Sequence, residues 1–342
     1  MQPSDLFVQS TTKTILLSLI AFCFAMLLTP VFTHFAFRYK WWKKRDRTES
    51  TTGEKLSVVA QLRIKRTIPR MAGLIIVISA SIVTIALNLD RGQTWLPLAA
   101  LIGGGVVGLL DDYIYVTGKG GTVVGLSAKL KLFLITAIAI IAGLFFYYKL
   151  GYNSVYIPIY GDLNVGWLLI PLFVIVVVST SNAVNISDGV DGLAGGLLIY
   201  SYAAFGVIAL FQGNYGIASF CFTVIGALLS YLWFNIPPAR FVMGDVGSFA
   251  LGTSLGVVAM LTNTLILLPL IGIVFVAEGG SSLIQITSKK YLHRKIFIAA
   301  PIHHHFEAMG WPKTKVTMRF WIIAQTAAVI GVVLALTTGF IK

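Results

Sequence analysis

Long uncharged apolar runs, separated by short polar segments, dominate this chain. An α-helix needs about 20 consecutive apolar residues to cross the hydrocarbon core of a bilayer. Ten runs approach or exceed that length, over residues 14–37, 71–89, 92–110, 132–148, 163–181, 193–211, 215–234, 246–262, 264–288 and 320–341. Only the ninth run contains a charged residue, Glu278. The pattern predicts an all-α, polytopic integral membrane protein with about ten transmembrane helices, organised as a single domain over residues 1–342.

The composition supports this prediction and excludes other classes of protein. Hydrophobic residues make up 57% of the chain and charged residues only 11%, whereas a soluble domain carries about 25% charged residues. The net charge of +13 is therefore attributed to membrane topology and to anionic lipid or substrate, and not to nucleic acid. Cys23 and Cys221 both lie inside apolar runs, so neither a disulfide framework nor a cysteine zinc site is expected.

Lys and Arg residues are distributed unevenly between the two sides of the predicted membrane. The loops that follow the odd-numbered runs hold 22 of the 26 Lys and Arg residues. Because positively charged loops stay in the cytoplasm, we expect these loops to be cytoplasmic and both termini to be periplasmic. Every unusual polar cluster falls on the cytoplasmic side, which predicts one shared active site on that face. The longest loop on the other side, 149–162, is predicted to form a small hairpin.

A polar stretch between the fifth and sixth runs reads S-N-A-V-N-I-S-D-G-V-D-G over residues 181–192. Charges near membrane depth cost about 2.5–3.5 kcal/mol each on insertion scales, so these residues are functional candidates. The alternative is an ordinary solvated loop. Asp188 and Asp191 are three residues apart and would share one face of a helical turn. The glycines beside them allow a ligand to approach the backbone closely.

Two further cytoplasmic loops carry acids at helix ends. Asp111 and Asp112 directly follow the third run, and adjacent carboxylates either raise each other's pKa or share a cation. Lys129 and Lys131 stand at the start of the fourth run. Asp245, flanked by glycines at the start of the eighth run, suits a Mg²⁺ ligand, although a helix N-cap explains it equally well.

The first and last cytoplasmic loops add cations and imidazoles. Lys65, Arg66 and Arg70 surround a proline before the second run, where they suit either a diphosphate or the flank of a helix end. The last loop reads A-P-I-H-H-H-F-E over residues 300–307. Three consecutive residues cannot all face one ion in regular structure. Imidazoles that bind phosphate or sugar are therefore at least as good an interpretation as a zinc or nickel site.

Taken in order, these loops resemble the phospho-N-acetylmuramoyl-pentapeptide transferases, the MraY family, within the polyprenyl-phosphate N-acetylhexosamine-1-phosphate transferases. The resemblance covers nearly the whole chain and rests on D-D-Y, G-L-S-A-K-L-K, N-A-V-N-I-S-D-G-V-D-G-L-A and M-G-D-V-G-S-F-A-L-G. The histidine loop, followed by G-W-P, resembles the segment that marks the muramoyl-pentapeptide branch. The resemblance implies a bacterial inner-membrane enzyme of peptidoglycan synthesis. Its substrates would be UDP-MurNAc-pentapeptide and undecaprenyl phosphate, and its products lipid I and UMP.

The resemblance also implies roles for individual residues. It implies a Mg²⁺ ion bound by Asp245 with Asn182 nearby, and catalytic roles for Asp111, Asp112, Asp245 and His303. Substrate binding is implied for Lys65, Lys131, Asn185, Asp188, Gly189, Asp191, Asn235, His304 and His305. Membrane lipids and a second copy of the chain are the further partners implied. Two questions about the mechanism are left open. One is whether Asp111 acts as a general base, and the other is whether transfer occurs in one step or through an aspartyl-phosphate.

The chain departs from the family pattern in two places. It reads T-I-P-R-M-A-G before the second run where the family commonly has T-P-T-M-G-G, which introduces Arg70 and Ala72. Val242 occupies the place, three residues before Asp245, where the family usually carries a phenylalanine that stacks on uracil, and Phe241 is beside it.

Two other functions compete with this one. A related enzyme could transfer GlcNAc-1-phosphate or another HexNAc-1-phosphate to the same lipid, but the triple histidine argues against it. A polytopic transporter usually has its binding site near the bilayer midplane on broken helices. Here the acids cluster at one face, and only Glu278 lies within a span.

Overall fold

The computed structural model describes residues 3–42, 68–118 and 125–340. α-Helices dominate these segments, as the apolar runs predict. They are α1 (Pro3–Arg38), α2 (Gly73–Leu87), α3 (Trp95–Thr117), α4 (Ala128–Tyr148), α5 (Leu169–Ser187), α6 (Leu193–Phe211), α7 (Tyr215–Asn235), α8 (Gly244–Leu261), α9 (Leu268–Ile271), α10 (Ile273–Tyr291), α11 (Ile302–Ala308) and α12 (Lys313–Thr337). Short 3₁₀ turns at Gly166–Leu168 and Leu265–Leu267 precede α5 and α9.

The chain is a multi-pass membrane protein, with two differences from ten uniform spans. Among the described residues, eight helices are long and apolar enough to cross a bilayer, or nine if one bent pair counts as a span. In that pair, Leu265–Ile271 meets Ile273–Tyr291 at 81°. Gly272 stands at the break, where a Cβ would lie only 3.1 Å from the carbonyl oxygen of Leu268. The second difference is α2, which has only 15 residues.

The predicted hairpin in the segment 149–162 is confirmed, and it extends to residue 164. Its strands β1 (Ser154–Ile157) and β2 (Gly161–Asn164) pair antiparallel, with Val155 opposite Leu163. The side chain of Asn263, in the link between α8 and the 3₁₀ turn before α9, accepts a hydrogen bond of 2.9 Å from the Tyr156 amide. The hairpin therefore covers the α8 end of that link.

Both ends of the described chain lie at the same end of the helix bundle. The Phe7 ring lies 5.9 Å from the Phe211 ring, centroid to centroid. The next residue, Gln212, donates a 3.0 Å hydrogen bond to the carbonyl of Phe340. This arrangement agrees with termini on one side of the membrane. Their assignment to the periplasm stays a prediction.

Helix α8 is the centre of the bundle and is almost entirely buried. It packs against α2, α3, α5 and α6. Glycines allow these close approaches, since a Cβ on Gly73 would overlap the backbone of Gly247, and one on Gly252 would overlap the backbone of Ser181. Small residues at helix interfaces let backbones pack closely where both helices are equally apolar. The glycines of the eighth run therefore serve helix packing.

The contact between α3 and α8 also sets the position of the acids. A Cβ on Gly104 would overlap the backbone of Phe249, and one on Gly108 would overlap the backbone of Asp245. Gly104 and Gly108 are four residues apart and so lie on one face of α3. Because Gly108 rests directly on Asp245, the next turn of α3, which carries Asp111 and Asp112, ends beside that residue.

We predict that Gly108→Ala destabilises the protein, because the added methyl group has no space against the α8 backbone. Overpacking of this kind costs about 1–3 kcal/mol, which should lower the midpoint of thermal unfolding in detergent by several degrees. Gly280→Ala is the matched control, since nothing lies within 4 Å of a Cβ at that helical position. Equal unfolding midpoints for the two variants would contradict the proposed contact.

Candidate functional site

Three carboxylates meet where the C-terminal part of α3 faces the first turn of α8. They belong to Asp111, Asp112 and Asp245, and one oxygen from each lies within 4.8 Å of the others. Asp111 and Asp112 are buried, and the Asp245 side chain is 13% exposed. We call these three residues the acidic centre. The structure therefore brings together the two acidic motifs that the sequence identified separately.

Two cations neutralise most of this charge. The Lys131 ammonium, in the first turn of α4, lies 3.2 Å from Asp111 Oδ2 and 2.9 Å from Asp245 Oδ2. The Arg70 guanidinium lies 3.2 Å from Asp112 Oδ1 through Nε and 3.6 Å from Asp245 Oδ1 through Nη2. Each cation thus joins Asp245 to one of the two α3 carboxylates. Buried charges are tolerated when they are paired in this way.

Backbone amides contact the two remaining oxygens. The amide of Leu126 donates to Asp111 Oδ1 at 2.5 Å, and the amide of Val246 donates to Asp112 Oδ2 at 3.1 Å. All six carboxylate oxygens therefore have a hydrogen-bond or ion-pair partner. Together with Lys131 and Arg70, the acidic centre carries a formal net charge of about −1 when all five groups are ionised.

A short run of backbone pairing holds Arg70 in place. The amide of Val242 donates to the carbonyl of Pro69 at 3.0 Å, and the amide of Ala72 donates to the carbonyl of Val242 at 3.1 Å. The guanidinium also lies 4.4 Å from the centroid of the Tyr115 ring. Burial alone would lower the pKa of Arg70. The negative charges of Asp112 and Asp245 outweigh that effect and hold its pKa above the ordinary value.

The polar stretch divides between the last turns of α5, through Ser187, and a turn over residues 188–192, so Asp188 and Asp191 do not lie on a helix and do not share a helical face. Helix α5 ends at Ser187, and the left-handed backbone of Gly192 (φ 78°) immediately precedes α6. The Asp188 carboxylate accepts the Gly244 amide at 3.2 Å, whereas the Asp191 carboxylate accepts the Ala239 amide at 3.4 Å. The two acids therefore face different parts of the 236–244 segment.

Asp188 lies next to the acidic centre through its contact with Gly244. Burial raises the pKa of the Asp188 carboxyl to about 7, although the charge of Arg70 opposes the rise. Asp188 therefore adds only part of a negative charge near neutral pH.

Three asparagines hold this region together in different ways. Asn235 accepts the Gly192 amide at 2.8 Å and donates to the carbonyl of Phe241 at 2.8 Å. Asn185 donates to the Ser248 hydroxyl at 2.8 Å, which ties α5 to α8. Asn182 donates to the carbonyl of Val178, one turn earlier in α5, at 2.8 Å.

The three consecutive histidines have three different sets of partners. His303 Nδ1 lies 2.7 Å from Glu278 Oε2, and both side chains are fully buried. His304 Nδ1 lies 2.9 Å from Glu307 Oε2, and His305 Nδ1 accepts the Ile298 amide at 3.2 Å. This division supports the interpretation that they do not share one metal ion. A Cβ on Gly189 would overlap the His303 ring, so this glycine brings the α5–α6 turn against the imidazole.

The donor set of the acidic centre suits a Mg²⁺ ion. Mg²⁺ takes oxygen ligands at about 2.0–2.1 Å, so two ligand atoms on one ion lie no more than about 4.2 Å apart. The spacing within 4.8 Å is close to that limit, and small side-chain movements would reach it. In the part of the chain that the structure describes, these three acids are the residues grouped closely enough to bind a metal. Asn182 is not among them, and its role as a ligand stays a prediction.

The partners of two side chains were not predicted from the sequence. Arg70 was considered for a diphosphate or for the flank of a helix end, and the acidic pair Asp111 and Asp112, which needed a counter-charge, was the available signal for its true contact. Glu278 was noted as the charge within a predicted span, and its partner is His303. Lys65 lies outside the described residues, so its predicted role is not addressed by the structure.

Comparison with known proteins gives consistent matches. The model of the family described as glycosyl transferase family 4 matches residues 94–263. A phospho-N-acetylmuramoyl-pentapeptide-transferase of Chloroflexus aggregans is 38% identical over 97% of this chain and 92% of its own length. The protein of that name from Desulfotalea psychrophila is 40% identical over 76% of this chain and 77% of its own length. The protein of that name from Bartonella quintana is 39% identical over 77% of this chain and 78% of its own length.

We expect Asn235→Ala to destabilise the region around the α5–α6 turn, because it leaves a buried amide and a buried carbonyl without their partners. An unsatisfied buried polar group costs about 1–3 kcal/mol, so thermal unfolding in detergent should shift by several degrees. Asn164→Ala is the control, since its hydrogen bond to the Gly166 amide lies on the exposed surface. A larger shift for the control would refute the role given to Asn235.

Proposed function

Because this chain belongs to the family of phospho-N-acetylmuramoyl-pentapeptide-transferases, we propose that it catalyses the reaction of that name in peptidoglycan synthesis. It is a membrane-embedded transferase. The donor would be UDP-MurNAc-pentapeptide and the acceptor undecaprenyl phosphate, and the products would be lipid I and UMP. The transporter alternative does not agree with the family.

The meeting of Asp111, Asp112, Asp245 and Lys131 at one end of the bundle is the observation that carries this proposal. Phosphoryl transfer depends mostly on positioning and on neutralising charge. A centre with three carboxylates and two cations can bind a metal ion and can also place positive groups against a diphosphate. Its position at helix ends suits a donor that arrives from water and an acceptor that arrives from the bilayer.

Mg²⁺ would be held by Asp245 with Asp111 and Asp112, and when bound it would supply charge neutralisation at the diphosphate. Lys131, fixed between Asp111 and Asp245, directs its ammonium to the same place and favours the negative charge that develops as UMP leaves. The acceptor phosphate needs little help from a base, because the second pKa of a phosphate monoester is about 6. Asp111 is therefore not required as a general base, and it positions Lys131 through their 3.2 Å contact.

The histidine loop is assigned to the sugar and peptide side of the donor. Glu278 orients the His303 imidazole through a buried 2.7 Å contact, and Gly189 places the α5–α6 turn against that ring. A cavity of about 580 Å³ beside this loop is lined by Lys289, Lys290 and Lys295 among other residues. Cations around a cavity of this size favour a large anionic donor.

The lipid partner and the membrane belong to the same proposal. An apolar cavity of about 230 Å³ lies beside the bend between α9 and α10, where Ile175, Leu268 and Phe275 contribute to its walls. Such a surface suits the isoprenoid chain of the acceptor. The positive loops support a bacterial inner membrane with the active site facing the cytoplasm. The outer face of α4 exposes apolar side chains, among them Phe133 and Ile141, to lipid or to a second copy of the chain.

We predict that the purified protein in detergent releases UMP when it is given Mg²⁺, undecaprenyl phosphate and UDP-MurNAc-pentapeptide. UDP-GlcNAc, offered in parallel, should release none, because it lacks the lactyl-peptide part that the histidine loop is proposed to contact. Release of UMP from UDP-GlcNAc alone would support the same phosphoryl transfer reaction, but with UDP-GlcNAc as the donor. A folded protein that releases UMP from neither donor would overturn the proposal.

Asp245→Asn should abolish transfer while the protein still folds and inserts, because Asp245 is the residue that both cations contact. Loss of one such electrostatic group typically lowers the rate by about 100-fold or more. UMP release and the thermal unfolding midpoint are measured on the same preparation. The control is Asp90→Asn at the opposite end, where the carboxylate only accepts amides within its own turn. Wild-type turnover in Asp245→Asn would remove this residue from the mechanism.

A further inference from the structure

Arg70 stands among the carboxylates that would have to bind a metal ion. Its guanidinium contacts Asp112 at 3.2 Å and Asp245 at 3.6 Å, and these contacts use one oxygen of each. Lys131 uses the second oxygen of Asp245. A divalent ion that approaches Asp245 therefore meets oxygens that already have cationic partners.

The position of Arg70 is built into the fold. Its own amide donates to the carbonyl of Trp41 at 2.8 Å. Nearby, Pro69 and Ala72 pair with Val242, and Gly73 pairs with Met243. The Tyr115 ring supports the guanidinium from one face. A guanidinium cannot be deprotonated in a protein, so its charge is permanent. The Arg70 side chain is nevertheless 28% exposed, which leaves space for it to move away from the carboxylates.

We propose that Arg70 is a built-in competitor for the divalent ion of the acidic centre. Its guanidinium occupies carboxylate oxygens that the ion would use, so it weakens binding of the ion and must withdraw from at least one carboxylate when the ion binds. The inference deepens the proposed metal-dependent transfer and rests on it for its biological meaning. It does not depend on which sugar nucleotide is the substrate.

The physical basis is the repulsion between like charges at short range. A unit positive charge about 5 Å from a divalent ion lowers the affinity of that ion by about tenfold even when the dielectric constant is that of water. The effect is larger where water is excluded, as it is around Asp112. Loss of the Asp112 and Asp245 contacts by Arg70 adds to the cost of binding the ion.

The test measures binding of Mn²⁺, a paramagnetic substitute for Mg²⁺, by the decrease of the free Mn²⁺ signal in electron paramagnetic resonance. The purified full-length protein in detergent is compared with Arg70→Gln, which removes the charge. We expect Arg70→Gln to bind Mn²⁺ at least tenfold more tightly than the wild type. Arg70→Lys, which keeps the charge, should stay within about threefold of the wild type.

Arg240→Gln is the matched control for the loss of one cation in the same region. Arg240 is exposed and lies 5.8 Å from the Phe234 ring centroid, and its loss should leave the Mn²⁺ affinity unchanged. Equal affinities in wild type and Arg70→Gln would overturn the inference, and so would a gain that Arg240→Gln reproduces. Should Arg70→Gln fail to fold, Arg70→Met removes the charge at nearly the same length and must show the same gain.

The binding measurement separates this inference from the proposed function. If Arg70→Gln binds Mn²⁺ more tightly but the wild-type protein releases no UMP from the proposed donors, the competitor role is supported and the proposed substrates are wrong. If the wild-type protein releases UMP from the proposed donor but Arg70→Gln does not change the Mn²⁺ affinity, the competitor role is wrong and the proposed substrates stand.

Discussion

Three carboxylates that lie side by side with little access to water need positive charges beside them, and this constraint governs the functional end of the molecule. Asp245 is the shared member, since Lys131 joins it to Asp111 and Arg70 joins it to Asp112. The partners come from α3, α4, α8 and the segment before α2. Breaking a buried pair leaves an uncompensated charge, which costs about 3–5 kcal/mol. The relative positions of these four elements are therefore fixed by charge as much as by packing.

The helices were largely predictable because an apolar run is a local signal that membrane burial makes strong. The hairpin near residue 157 was predicted from another local feature, the length of the loop over residues 149–162. The bend at Gly272 was not predicted, because residues 264–288 form one continuous run in the sequence, whereas the structure bends within it by 81°. The turn at 188–192 was not predicted, since spacing alone does not reveal that α5 ends at Ser187.

The composition of the acidic centre could be anticipated only in part. Acids at helix ends identified Asp111, Asp112 and Asp245 as candidates, but their meeting depends on contacts across more than 130 residues of sequence, such as that between Asp112 and Val246. Arg70 and Glu278 were harder to place because each pairs with a distant residue through tertiary structure. A charged side chain in an apolar setting indicates that it has a partner but does not identify that partner. In the structure, Arg70 pairs with Asp112 and Glu278 pairs with His303.

The shortness of α2 has a consequence for the membrane itself. Its 15 residues span about 22 Å at 1.5 Å per residue, whereas a typical hydrocarbon core is about 30 Å thick. A short helix is matched by local thinning of the bilayer or by flanking side chains that reach the interface, at a cost that grows with each ångström of mismatch. Because α2 begins three residues after Arg70, thinning at that end of the helix would lie next to the acidic centre. A lipid-borne phosphate at a lowered surface would stand nearer to the buried carboxylates, so transfer would then depend on the thickness of the bilayer.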